Sequence, residues 1–522
     1  MQSGLLKINF DDDMKDIPRY IPGDEYNLNP AKKEQDINAQ TTTETQLSGQ
    51  IENKTNTEKS QKDRAEVVKS DEVAVDISEV SESEILELRK RYTSQFHFSI
   101  KWLNDYTEVL REARPSTYPQ IELKAIQNFA FLLAHGGFNM NCFYMLDLSD
   151  TGTGKGVNFK TQNKLLFEPI KDNDRELWQE HKNKIDEQIK NNEISRAEAK
   201  TKLIRSIHKD EASVEALAQC FESSKVQMLE VEELGNAIKS DKKHPLIDFV
   251  TKMHATKDFI SPTYKNGADT KPYINDVSFF FYGDTNLTYL PAKTLKFHLE
   301  GGFLNRCIIV YCKNILSFEE AQYLEIPANK VEDIQELSRE IYDFAKEQSK
   351  ENQINDRYLK TSEARTEFLK QIRLSIQEYN RAYDETHNEN NRILGLLNER
   401  IDYKLDGIIQ TLHLLKEFTR YKEDKAHFAF NDLVSDETIK EAIAFLNGYL
   451  DFEPILNKIN KFSIADRVEL RDKIYNYVSK HPLPIEIRSV SNNVTGRPNR
   501  QQIYNLLKDR FKIVGGKIVS LL

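Results

Sequence analysis

Cysteine is scarce, with four in 522 residues. Cys142, Cys220, Cys307 and Cys312 form no C-x-x-C pair and lie at no zinc spacing from histidine. A zinc module or a disulfide framework is therefore not expected, and reduced, inert thiols in a cytoplasmic protein are. No run of about 18 apolar residues occurs, so no transmembrane helix is expected. The opening Met1-Gln2-Ser3-Gly4-Leu5-Leu6-Lys7 has no long apolar stretch, so neither is a signal peptide. A basic excess is also missing: 73 Lys and Arg against 83 Asp and Glu give a net charge of −10. Any nucleic-acid contact must then come from a local patch rather than a global field.

The most informative stretch is Leu148-Ser149-Asp150-Thr151-Gly152-Thr153-Gly154-Lys155-Gly156. The apolar run 140–146 before it reads as a buried strand, and Val157-Asn158-Phe159-Lys160 after it can continue a helix. Strand, glycine-rich turn, lysine and helix form the context of a phosphate cradle, in which main-chain N–H groups and one ammonium grip a triphosphate. The expected ligands are ATP and Mg²⁺. Ser149 stands where the usual pattern has its first glycine, and Gly156 where it has the hydroxyl that ligates magnesium. Water or an acid elsewhere must then fill that coordination position.

Three further apolar runs, 226–231, 277–282 and 307–311, read as strands of the same sheet, separated by helices. That alternation implies a parallel sheet with ligands at the C-terminal strand ends. After the first run stand Glu232, assigned to the metal, and Glu233, assigned as the base that polarises water, with Glu230 as a competitor for the acidic role. After the second, Asn286, with Thr285 next, is chosen to touch the attacking water or the γ-phosphate, although Gly283-Asp284-Thr285-Asn286 is also good turn chemistry. Arg306, after Gly301-Gly302-Phe303-Leu304-Asn305, is expected to stabilise γ-phosphate charge in a neighbouring subunit.

The order of these motifs, together with Asp210-Glu211-Ala212-Ser213-Val214-Glu215-Ala216-Leu217, resembles the helicase-like P-loop ATPases of plasmids, prophages and integrated elements. These are relatives of the ATPase half of primase–helicases. The resemblance runs from about Phe98 to Leu450, through Ser362-Glu363-Ala364-Arg365 and Ile401-Asp402-Tyr403-Lys404-Leu405. It implies a RecA/AAA-like α/β P-loop NTPase fold, a homo-oligomer such as a hexamer, and ATP hydrolysis coupled to DNA. Members typically carry Ser or Thr after the lysine, and Gly156 departs from that.

Around this core, residues 1–80 read as a disordered acidic and polar tail, low in complexity from Asn29 onward. Its segment 8–18, acidic with Phe, Ile and Pro, is either a solvated end or a docking motif for a replication protein. Residues 81–137 read as a helical segment, 138–315 as the ATPase core with a charged helical hairpin at 171–206, and 316–460 as a helical bundle. Lys404 and His413 read as parts of that bundle. Residues 465–522 read as a winged helix of three helices and a Gly-Gly hairpin. Arg497, Asn499, Arg500, Gln501, Lys512 and Lys517 are its candidate DNA contacts, against few acids. The reading these features favour is a DNA-dependent ATPase, a replicative helicase or initiator of a mobile element. A slowly hydrolysing ATP-binding regulator and a non-catalytic P-loop scaffold are its rivals.

Overall fold

The computed structural model describes residues 92–520 with Leu86 and Lys90, apart from 114–115, 194, 196–203, 210–211, 239–244, 255, 257, 261–272, 315–323, 495–502, 504–506 and 508–510. The polar tail, the second arm of the charged insertion, and Arg497, Asn499, Arg500 and Gln501 lie outside the described residues.

The chain is an α/β fold around a central parallel sheet. Its strands are β1 (Tyr144–Asp147), β2 (Ile207–Lys209), β3 (Val226–Val231), β6 (Ser278–Asp284) and β7 (Cys307–Val310), in the order β2-β3-β6-β1-β7. Two three-residue strands, β4 (Asp258–Ile260) and β5 (Tyr273–Asn275), pair antiparallel apart from it. The expected runs lie in this sheet, with shifted ends. The first strand begins at Tyr144 rather than Met140. The third continues through Gly283 and Asp284, which turn chemistry had assigned to a loop.

β1 and β6 are buried along their whole length, as strands covered on both faces must be. Alternation then divides their side chains between two cores. Met145, Phe280, Tyr282 and Ile308 enter one core, with α1 (Lys101–Ala113), α2 (Tyr118–His135) and α3 (Lys155–Leu166). Tyr144, Leu146, Phe279, Phe281 and Ile309 enter the other. α2 is almost wholly buried, its polar Gln120, Glu122, Lys124, Gln127 and Asn128 included, which makes it the central helix of the first core. α4 (Glu168–Lys190) is one long helix buried only at Pro169 and Ile170, so the charged insertion is described as a single projecting arm.

Helices α5 (Ala328–Gln348), α6 (Glu363–Thr386), α7 (Ile401–Glu423) and α8 (Asp436–Asn447) complete the first core. Within α7, a Cβ at Gly407 would lie 2.6 Å from the main-chain oxygen of Asn141, on the approach to β1. α9 (Glu453–Ser479) then runs through residues 460–465, where the composition changes, without a break. Beyond it come β8 (Ile485–Glu486), α10 (Ile487–Asn493), β9 (Phe511–Val514) and β10 (Lys517–Ser520), with a small antiparallel sheet ordered β8-β10-β9. Ile474, Val478, Val490 and Ile518 form its own core. No described helix is long and apolar enough to cross a membrane.

Gly407→Ala should destabilise the sheet domain by about 1–3 kcal/mol, because the added methyl meets fixed backbone rather than a movable side chain. Urea unfolding monitored by circular dichroism reads this, and an unchanged midpoint would refute the close contact.

Candidate functional site

The loop between β1 and α3 is braced on several sides. The Leu148 amide donates to the Val310 oxygen at 2.8 Å, and the Asp150 amide to the Cys312 oxygen at 2.9 Å. The Ser149 hydroxyl accepts from the Cys312 amide at 3.0 Å. A serine in place of the usual glycine thus stitches the loop to the chain leaving β7. The Ser116 hydroxyl, just before α2, donates to the Gly154 oxygen at 3.0 Å. Gly152 (φ 89°) and Gly154 (φ 70°) take left-handed conformations that L side chains rarely adopt. A Cβ at Gly156 would meet nothing within 4 Å, so α3 opens beside free space. The Lys155 ammonium donates to two main-chain oxygens, of Ser149 at 2.7 Å and of Thr285 at 2.8 Å.

Next to that ammonium, two carboxylates stand where sequence reasoning had placed none. Asp147 and Asp284 end neighbouring strands and are register partners. Asp147 accepts from the Gln120 amide at 2.9 Å and from the Ser149 N–H at 3.0 Å. Asp284 accepts from the Glu233 N–H at 3.3 Å and from the Tyr282 hydroxyl at 3.4 Å. Burial raises the Asp147 carboxyl, opposed by its Ser149 hydrogen bonds and the charge of Lys155. Asp284 is pushed up to about 6, first by burial and then by the charge of Asp147.

The remaining polar groups support the loop. Gln120 also donates to the Thr153 hydroxyl at 3.2 Å, and Thr153 donates to the Asp150 oxygen at 2.9 Å. The Asn286 amide donates to the Thr151 hydroxyl at 3.0 Å, while its oxygen accepts from the Thr288 N–H at 2.8 Å. Ser149, Thr151, Gly152, Thr153, Gly154, Lys155 and Asn286 are therefore gathered at one strand edge.

The other expected site residues are placed differently. Glu232 is partly exposed and pairs with Lys160 of α3 at 2.7 Å. Glu233 has φ 55° and is exposed, so its N–H, rather than its carboxylate, meets the site. Glu230, the competitor for the acidic role, is buried against Lys124 at 3.3 Å and accepts from Asn163 at 2.7 Å. Burial raises the Glu230 carboxyl and lowers the Lys124 ammonium, while their mutual attraction opposes both shifts. Arg306 precedes Cys307, the register partner of Tyr144, and so lies at the opposite edge of the sheet from the loop of its own chain. Lys512 and Lys517 are exposed on the hairpin.

Three residues escaped the sequence reading. Gln120 carried a legible signal: Thr117-x-x-Gln120 has the spacing of a capping box, and the Thr117 N–H donates to the Gln120 oxygen at 3.1 Å. Asp147 was an acid closing an apolar run. Asp284 was hidden inside a turn-like tetrapeptide. Among the described residues no three His, Cys, Asp or Glu side chains group into a metal-binding cluster. No protein-family model and no curated protein matches the chain.

The raised carboxyl of Asp284 fixes a pH dependence. The folded protein holds that proton up to about pH 6, whereas the ordinary value is 3.8. The folded state therefore binds more protons than the unfolded chain in this window, and stability falls as pH rises from about 4 to 6. The loss is no more than about 3 kcal/mol, at 1.36 kcal/mol per unit. Asp284→Asn should remove it, being more stable than wild type at pH 8 but not at pH 4 in urea melts.

Proposed function

We propose that the chain is a DNA-dependent ATPase, acting as a replicative helicase or initiator of a mobile element, with residues 148–156 as a triphosphate cradle. The observation that carries this reading is the Lys155 ammonium, held by main-chain oxygens alone at the start of α3 and beside two buried carboxylates. An incoming phosphate can take over that ammonium without breaking an ion pair. The location agrees: β1 is flanked by β6 and β7, both later in the chain, and such switch points at the C-terminal strand ends are where α/β sheets bind ligands. This placement, with the glycine-rich loop, supports a P-loop NTPase fold of RecA/AAA-like type.

Magnesium, bound with the nucleotide, would supply charge neutralisation at the phosphates. The residues present fit it: magnesium takes one or two carboxylates and keeps phosphate oxygens and waters as its other ligands. Glu232, water-accessible and close enough to Asp284 to raise its carboxyl, is the side chain that would hold it. Gly156 leaves space there instead of a hydroxyl. Asp284 is the better general base. Its carboxyl, pushed up to about 6, lies close to the operating pH, while the Glu233 carboxylate is turned to solvent. Asn286 and Thr151 shape the loop facing the phosphates. Arg306, expected to serve a neighbouring copy, is held within its own chain by the Gly302 oxygen and Asn305.

The C-terminal unit is read as a winged helix that recruits DNA. Lys512 and Lys517 stand on adjacent hairpin strands, on either side of the Gly515-Gly516 turn. A second reading, an ATP-binding regulator with little turnover, is favoured by one observation, the missing hydroxyl at Gly156. Strand displacement by the wild-type protein separates the two.

ATP hydrolysis measured with no DNA, single-stranded DNA and duplex DNA tests the leading reading. Lys155→Ala should lower turnover by about 100-fold or more. Equal rates in the variant and wild type would remove the site assignment. Replacing Lys512 and Lys517 together by Gln should weaken binding to all DNA sequences alike and lower the slope of log affinity against log salt by about 2.

A further inference from the structure

At the end of the sheet where β1 and β7 begin, His254 lies within electrostatic reach of Arg306 and Lys404. His254 follows the helix Pro245–Met253, and its ring lies between Tyr144, at 4.9 Å, and Tyr403, at 4.7 Å. Lys404, the next residue in α7, is 2 % exposed. Arg306 enters from the β7 side. Its Nη1 donates to the Gly302 oxygen and to Asn305 Oδ1, but its Nε is buried without a partner. His254 Nε2 is likewise buried and unpartnered. Arg400, exposed and in a left-handed conformation at the head of α7, adds a further positive charge from the solvent side.

The acids nearby act from exposed positions: the charge of Glu399 opposes the lowering of Arg306, and that of Asp402 opposes the lowering of Lys404. Glu399 is exposed and accepts from the Asn305 amide at 3.0 Å, and Asp402 is exposed. Burial lowers Lys404 to about 8, and burial with the charges of Arg306, Lys404 and Arg400 lowers His254 to about 3. His254 is therefore neutral at physiological pH and can present an N–H at Nε2. Folded proteins rarely leave buried polar atoms such as Arg306 Nε and His254 Nε2 unmatched, and a buried ammonium is costly.

We propose that Lys404, Arg306, Arg400 and His254 form a receptor for a phosphate-type oxyanion, on the opposite side of the sheet from the loop 148–156. An oxyanion can accept from the Lys404 ammonium, the Arg306 Nε–H and the His254 Nε2–H together, and it offsets the desolvation of the cations. The source is either free phosphate or the terminal phosphate of a nucleotide. The site stands independently of nucleotide binding at Lys155.

The test uses the full chain in phosphate-free buffer, titrated calorimetrically with sodium phosphate at constant ionic strength. Lys155→Ala, which removes the loop's own ammonium, should retain a phosphate site that depends on Lys404. Lys404→Met should weaken binding by about tenfold or more, the loss of one charge-assisted hydrogen bond. Thermal melts keep the result interpretable. Without phosphate, Lys404→Met should melt no lower than wild type, because a buried charge has gone, and added phosphate should raise the wild-type melting temperature more than that of the variant. Arg306→Gln is the second variant and should also weaken binding. Repeating the titration of Lys155→Ala with ATP distinguishes the sources: tighter, Lys404-dependent binding marks a nucleotide phosphate, and weaker binding marks the free ion. No phosphate binding in wild type at tens of millimolar, or equal binding in both variants, overturns the proposal.

Discussion

One ammonium governs the chemistry at the C-terminal edge of the sheet. Lys155 sits between two carbonyl oxygens and within electrostatic reach of Asp147 and Asp284. In a buried setting these charges act on one another far more strongly than in water. The lysine lowers both carboxyls while burial raises them, and the charge of Asp147 adds to the rise at Asp284. Any ligand that draws the ammonium toward itself changes that balance, so ligand binding and carboxylate ionisation are linked at this edge.

The loop is rigid because three separate pieces of chain hold it. The start of α2 contributes Ser116 and Gln120, the chain after β7 contributes Cys312, and the end of β6 contributes Thr285 and Asn286. Behind it, the Lys124–Glu230 pair ties α2 to β3, and Asn163 carries the link into α3. Lys124 also lies 4.4 Å from the Tyr282 ring centroid, and that ring stacks on Phe159 at 4.9 Å. These contacts join the helix that opens at the loop to β3 and β6.

Much of this frame was legible in the residues. Long apolar runs and a glycine-rich turn gave β1, β3, β6, β7 and the start of α3, because a strand buried on both faces must be apolar throughout. β2 was missed because three residues carry no periodicity. Asp284 was missed because Gly-Asp-Thr-Asn is good turn chemistry, and only pairing with β1 keeps it in the strand. Glu230 reads like its acidic neighbours until the buried Lys124, remote in sequence, is placed against it. Arg306 shows the same limit. Which end of the sheet it occupies follows from strand register, and register is not written in a local motif.

Helix α9 is shared by two cores. Ile455 and Ile459 belong to the second core of the sheet domain, and Ile474 and Val478 to that of the C-terminal unit. From Ile459 to Ile474 the helical rise spans about 22 Å. A continuous helix has no soft joint along such a span, so it works as a lever. A small tilt at its foot, beside the sheet domain, becomes a displacement of the distant hairpin that grows with the length of the arm.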